Sequence, residues 1–190
     1  MAKQKNVSVF ISLLLRHKPE EVGLKMDNHG WVSVDELLSG INKTGRYKID
    51  FEMLKEIVAT DNKGRYRFNE TKTKIKACQG HSIPWVEPEL EYGEPPKHLY
   101  HGTNTESLGK IEHSGYISRM KRHAVHLYED ESKVWQSAER WKGKTPVVVK
   151  IDSEQMYKDG FVFGKSENAV WCVEEVPVKY IVDRIFVKMM

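Results

Sequence analysis

Four of the chain's seven prolines fall between Ile83 and Pro96, in a segment that also carries four glutamates and no basic residue. Each proline fixes φ, removes an amide donor and disfavours helix in the residue before it. The segment therefore cannot be a long helix. The chain is expected to divide there, into a first lobe over 1–82, a linker over 83–96 and a second lobe over 97–190.

The two sides differ in periodicity. Before the linker, Val7, Phe10, Ile11, Leu14 and Leu15 make one helical stripe. Ser33 with Glu36 three residues on is a capping-box pattern, and Asp50 precedes a helix with Phe51, Leu54, Ile57 and Val58 on its apolar side. Two short extended runs follow, Arg65–Phe68 and Lys74–Cys78. Three helices and then a basic hairpin is the order of a winged helix. After the linker, strands are expected at Leu99–His101, Val125–Tyr128, Val147–Ile151, Phe161–Phe163, Val170–Val173 and Ile181–Val187. Helices are expected near Thr105–His113, with Gly115 as the C-cap residue, and near Asp130–Trp141. The fold class is α+β, with a mixed or antiparallel sheet in the second lobe.

Charge is distributed unevenly along the 190 residues. Residues 1–82 hold 15 Lys/Arg against 10 Asp/Glu, whereas 97–190 hold 15 against 13. Lys63, Arg65, Arg67, Lys72, Lys74 and Lys76 crowd one stretch with a single acid, Glu70. Charge alone fits a solvated face and a nucleic-acid surface equally. The two cysteines, Cys78 and Cys172, suggest neither a disulfide framework nor a metal site, and no metal is expected. No apolar run approaches the roughly 18 residues that span a bilayer, so a cytoplasmic location is expected. Nothing in the sequence demands more than a monomer.

Several short strings concentrate side chains that handle anions. Arg16-His17 ends the first apolar stripe just before Lys18-Pro19. A guanidinium there could grip a phosphate through two parallel hydrogen bonds, or could be an ordinary cation at a helix C-terminus. Gln79-Gly80-His81-Ser82 closes the basic hairpin, and Gly80 permits close backbone approach. His101-Gly102-Thr103 leads from a strand towards a helix, where backbone N–H groups suit an anion or an amide. Arg119-Met120-Lys121-Arg122-His123 adds positive charge ahead of His126. Neither a Rossmann fingerprint nor a P-loop pattern occurs.

In order along the chain stand LLRHKPE (14–20), GWVSVDELL (30–38), DNKGRYRF (61–68), IKACQGHS (75–82), LYHGT (99–103), ISRMKRHAVHL (117–127) and AVWCVEEVPVKYI (169–181). This ordered series resembles the KptA-type RNA 2′-phosphotransferases over nearly the whole chain. The resemblance implies an N-terminal winged-helix lobe and a C-terminal ADP-ribosyltransferase-like lobe. It implies NAD as co-substrate and RNA bearing an internal 2′-phosphate as partner. The 2′-phosphate would displace nicotinamide, giving an ADP-ribosylated RNA intermediate. A ribose hydroxyl would then attack phosphorus, releasing 2′-hydroxyl RNA and ADP-ribose 1″,2″-cyclic phosphate.

By motif, the resemblance assigns Arg16, His17, Arg65 and Arg122 to catalysis, with Arg65 and Arg122 on the 2′-phosphate. His101, Gly102, Thr103, Ser118, His126 and Val170 would bind NAD, with the Gly102 backbone on the nicotinamide carboxamide and His101 on the adjacent ribose. Lys63, Arg67, Lys76, His81, Ser82 and Arg119 would contact RNA. Lys76 stands where the family commonly has Arg, keeping the charge without the planar fork. The apolar Val170, where many protein-modifying relatives have Glu, argues against protein modification. Two other readings stand beside it: an ADP-ribosyltransferase that caps terminal phosphates of nucleic acid with the same residues, and a winged-helix nucleic-acid-binding protein with a silent second lobe, against which the intact Arg16, Arg65, His101 and Arg122 count.

Overall fold

The computed structural model describes residues 2–138 and 143–187. The chain forms two compact units, Met1–Glu89 and Leu90–Met190. The division falls inside the proline-rich segment, and residues on either side of it are taken up by their own unit. The Glu87 N–H donates to the Asn28 carbonyl at 2.7 Å, and Glu89 pairs with Lys76. Leu90–Tyr92 forms a strand in the second unit.

The first unit contains α1 (Ala2–Arg16), β1 (Val32–Ser33), α2 (Val34–Lys43), α3 (Phe51–Ala59), β2 (Tyr66–Phe68) and β3 (Lys74–Ala77). The anticipated stripe is the inner face of α1, since Val7, Phe10, Ile11, Leu14 and Leu15 are all buried. They pack with Leu37 and Ile41 of α2, Leu54 and Ile57 of α3, and Tyr66, Ile75 and Ala77 of the hairpin. Both anticipated caps are made: Ser33 accepts from the Glu36 N–H at 3.3 Å and Asp50 from the Met53 N–H at 2.9 Å. The strands form a small antiparallel sheet in the order β1-β3-β2.

The second unit contains β4 (Leu90–Tyr92), β5 (His98–Asn104), α4 (Thr105–Ser114), β6 (Tyr116–Ser118), β7 (Val125–Leu127) and α5 (Glu131–Ala138). After these come β8 (Pro146–Asp152), α6 (Ser153–Lys158), β9 (Gly164–Ser166), β10 (Trp171–Val173), β11 (Glu175–Pro177) and β12 (Ile181–Phe186). Two sheets, ordered β4-β9-β10-β7 and β12-β8-β5, accompany a β11-β6 ribbon. Every pairing among the described residues is antiparallel. The protein is thus α+β with antiparallel sheets. The end of the helix expected up to Trp141 lies outside the described residues.

One expectation changes. Phe161–Phe163 is not a strand; the Phe161 N–H closes the turn after α6 on the Met156 carbonyl at 3.1 Å, and Phe163 is buried against Trp171. Its apolar character serves the core rather than a ladder. The N-cap of α4 is Asn104, which accepts from the Ser107 N–H at 3.0 Å. Gly115 is the left-handed C-cap as expected. Among the described residues, no helix is long and apolar enough to cross a membrane.

Candidate functional site

In the first unit the end of α1 is fastened to the string that closes the hairpin. The Ser82 N–H donates to the Arg16 carbonyl at 2.9 Å, and His17 Nδ1 is hydrogen-bonded to Ser82 Oγ at 2.9 Å. Gly80 has φ +86, and a Cβ placed there would lie 3.6 Å from Cζ and Nη1 of Arg16. The glycine supplies both a left-handed turn and the flat surface over which the guanidinium lies. Nε and Nη2 of Arg16 are buried.

Arg65 stands at the same end of the sheet. Its carbonyl accepts from the Cys78 N–H at 2.9 Å, which continues the β2–β3 register to within two residues of Gly80. Its guanidinium and its backbone N–H both donate to the carboxylate of Asp61. The Asp61 side chain is almost fully buried, whereas that of Arg65 is about one-third exposed. A buried carboxylate thus aims a guanidinium whose remaining donors can serve an anion. Sequence reading missed Asp61; the signal was the Asp61-Asn-Lys-Gly64 turn, with Arg65 four residues on.

Arg16, His17, Arg65 and Ser82 are therefore gathered at one end of the small sheet. Lys63 is half-buried and Arg67 is exposed. Lys76 and His81 are buried: the Lys76 ammonium pairs with Glu89, and the His81 ring packs against Gly30.

In the second unit the site grows from β5. One edge of β5 pairs with β8 along its length. On the other edge Tyr100 and Tyr128 exchange both backbone hydrogen bonds, at 2.8 and 2.9 Å. Backbone groups alternate sides along an antiparallel strand, so the N–H and C=O of Gly102 face the same edge as those of Tyr100. Continuing that register would set Gly102 opposite His126. Among the described residues, however, pairing on this edge is limited to Tyr100 and Tyr128. The His126 carbonyl instead accepts from Nδ1–H of His101 at 3.1 Å. The strands splay, leaving a donor and an acceptor of Gly102 side by side. That pair is complementary to a primary carboxamide, and in this respect the residues fit NAD.

Arg122 lies 3.4 Å from His126, Nη1 to Nδ1. A guanidinium can only donate, so Nδ1 of His126 carries its lone pair. A run from His101 through His126 to Arg122 thus borders the splayed edge. Arg119 takes another place: its Nη1 donates to the Arg122 carbonyl at 3.3 Å, and the Arg122 N–H returns to the Arg119 carbonyl at 3.0 Å. Ser118 Oγ accepts from the N–H of Met120, which has φ +55. Ser118 and Arg119 shape the turn that carries Arg122.

Thr103 is buried on β5 opposite Val147. Val170 is buried, with Ser166 Oγ bonded to both its N–H and its C=O. A further residue not anticipated is Glu129, one position past the Tyr128 bridge. It accepts from Lys165 at 2.7 Å and from the Trp171 indole at 2.8 Å, and these bonds hold its carboxyl below the usual range.

A family model described as RNA 2′-phosphotransferase, Tpt1 / KptA family, matches residues 2–175. The chain belongs to this family. A "Probable RNA 2'-phosphotransferase" of Fusobacterium nucleatum is 49% identical over 172 residues, covering 90% of this chain and 94% of the relative. Relatives with the same name in Flavobacterium johnsoniae and Trichormus variabilis are 44% and 42% identical. They cover 93% and 95% of this chain, and 94% and 96% of their own lengths. The match to the RNA 2′-phosphotransferase family includes every side chain placed above in either unit.

Within this family member, the Lys76–Glu89 pair is structural. The Lys76 side chain is 4% exposed and that of Glu89 45%, and the ammonium lowers the carboxyl's pKa from its ordinary 4.5. A carboxyl with a depressed folded pKa contributes stability that is complete above about pH 4.5 and is lost as the pH falls through the lowered value. Glu89→Gln leaves the buried ammonium without its counter-charge. Breaking a fully buried pair costs about 3–5 kcal/mol, and the exposed half of Glu89 brings the expected loss to about 1–3 kcal/mol. Urea unfolding at pH 7 and pH 4 checks this: the wild type should lose part of its advantage over the variant at the lower pH.

Proposed function

We propose that this chain removes an internal 2′-phosphate from RNA by transferring it to NAD. The observation that carries the reading is the splayed edge of β5. There Gly102 presents a donor and an acceptor, beside His101, His126 and Arg122. The first unit is read as a winged helix that holds RNA, and the second as an ADP-ribosyltransferase-like lobe that holds NAD.

The residues divide the work by their chemistry. Gly102 takes the carboxamide through its backbone, and His101 takes the neighbouring ribose, its orientation fixed by the bond to the His126 carbonyl. Arg65, aimed by Asp61, grips the 2′-phosphate, with Arg16 and His17 assisting. Arg122 meets the charge on the phosphate as it is transferred, because fixed guanidinium groups need no reorganisation when charge shifts. Lys63, Arg67 and Ser82 contact RNA, while Lys76 and His81 support the surface from within. When bound, NAD would supply the acceptor carbon and a neighbouring hydroxyl. The bond from phosphorus to the RNA 2′-oxygen breaks, and that oxygen ends as a hydroxyl.

The test is incubation of the protein with a short RNA carrying an internal 2′-phosphate, with and without NAD. NAD-dependent conversion to 2′-hydroxyl RNA with ADP-ribose 1″,2″-cyclic phosphate as product is expected. Nucleic acid that keeps ADP-ribose would instead favour terminal capping, and no reaction by folded protein would overturn both.

A further inference from the structure

The outer face of the first unit's sheet carries a second feature, built on Trp31, a residue that the chemistry above does not use. The register sets Val32 opposite Ile75 and Arg67 opposite Lys76, so Trp31, Lys76 and Arg67 lie in a row across the three strands. Trp31 is half-buried and stands outside the apolar core cluster. Its indole instead meets cations, with Lys76 Nζ at 4.9 Å and Arg67 Cζ at 5.4 Å from the ring centre. The Lys76 ammonium pairs with Glu89, and the Arg67 side chain is exposed.

Arg65 immediately precedes β2 and extends its pairing through its carbonyl, so Arg65 and Arg67, two residues apart, share a face and stand about 6.5 Å apart. That is the order of one nucleotide step from a phosphate held by Arg65. Single-stranded RNA is recognised where unstacked bases lie on aromatic rings or guanidinium planes. We propose that Trp31 and Arg67 form a stacking platform for the nucleobase adjacent to the 2′-phosphorylated nucleotide. The platform makes this base part of the substrate that the first unit reads. The inference rests on the proposed RNA substrate and adds a requirement at a neighbouring position. An acidic peptide would use the charge of Arg67 without the ring, so the juxtaposition of the indole and the guanidinium favours RNA.

The test measures binding without NAD, by anisotropy of a fluorescent oligoribonucleotide bearing one internal 2′-phosphate. Matched oligonucleotides carry an abasic ribose at the 5′ or the 3′ neighbour. Wild-type protein should bind one abasic version roughly 5- to 100-fold more weakly. Trp31→Ala should lose a similar factor on the intact RNA and become indifferent to the abasic change, and Trp31→Phe should retain most of the discrimination. Equal weakening of Trp31→Ala on intact and abasic RNA, or wild-type indifference to both abasic versions, would overturn the proposal. If Trp31→Ala does not fold by circular dichroism, Arg67→Ala, on an exposed side chain, carries the same comparison. Because binding is read apart from turnover, failure here leaves the transfer reaction standing, and failure of the transfer reaction leaves the platform measurable.

Discussion

Arg65→Ala is expected to slow 2′-phosphate removal by roughly 10²- to 10³-fold, the cost of losing one preorganised donor to a charged transition state, while NAD affinity stays unchanged. The split follows from where the residues lie. Arg65 belongs to the hairpin of the first unit, and its partner is Asp61; the groups assigned to NAD, from His101 to Val170, all belong to the second. Arg65→Lys should recover only part of the rate, since an ammonium keeps the charge without the fork that can hold Asp61 and a phosphate oxygen together. Asp61→Asn should fall between wild type and Arg65→Ala, because the guanidinium remains but is aimed less firmly. Single-turnover rates at saturating NAD, with NAD affinity measured separately, check all three. Near-normal turnover in Arg65→Ala would remove Arg65 from the phosphate site.

What could be read from the sequence depended on how local the cause was. Ser33, Asp50 and Gly115 act within one helical turn, and each caps its helix as expected. The α1 stripe likewise needs only a 3.6-residue period to be seen. Lys76 and His81 could not be placed this way. They sit in a basic string that reads as surface, and what buries them comes from elsewhere. Glu89 is 13 residues away, inside a segment that reads as linker, and Gly30 is some fifty residues upstream. Phe161–Phe163 failed for the opposite reason. An apolar run of that length fits a strand or a core turn, and only the packing of Phe163 on Trp171 decides. Arg119 and Arg122 show the same limit: motif register assigned the phosphate to Arg122, and no local pattern showed that Arg122 reaches His126 while Arg119 donates to the Arg122 carbonyl.

Gly102→Ala should be the most damaging small change in the second unit, for two separable reasons. In the sequence Gly102 stands in a strand-to-helix string whose backbone N–H groups suit an anion or an amide, and the family resemblance puts its backbone on the carboxamide. The structure adds that α5 already fills the space where a side chain would go: a Cβ would lie 3.0 Å from both Cγ1 and the carbonyl oxygen of Val134, and 3.3 Å from the Ala138 nitrogen. One methyl group must therefore push a helix away from a strand. Overpacking of this kind costs about 1–3 kcal/mol, and each kcal/mol lowers the midpoint of a chain this size by roughly 2–4 °C. A fall of about 2–12 °C in thermal denaturation is expected. The displaced strand carries the donor and acceptor proposed for the carboxamide, so NAD affinity should fall as well. Val134→Ala in the same chain separates the two obstacles. It removes Cγ1 and leaves the carbonyl, so the double variant should regain part of the stability lost by Gly102→Ala and not all of it. A Gly102→Ala protein with unchanged midpoint and unchanged NAD affinity would contradict both the packing at α5 and the role of this edge. Loss of midpoint alone would leave the glycine as a packing residue and move the carboxamide elsewhere along β5.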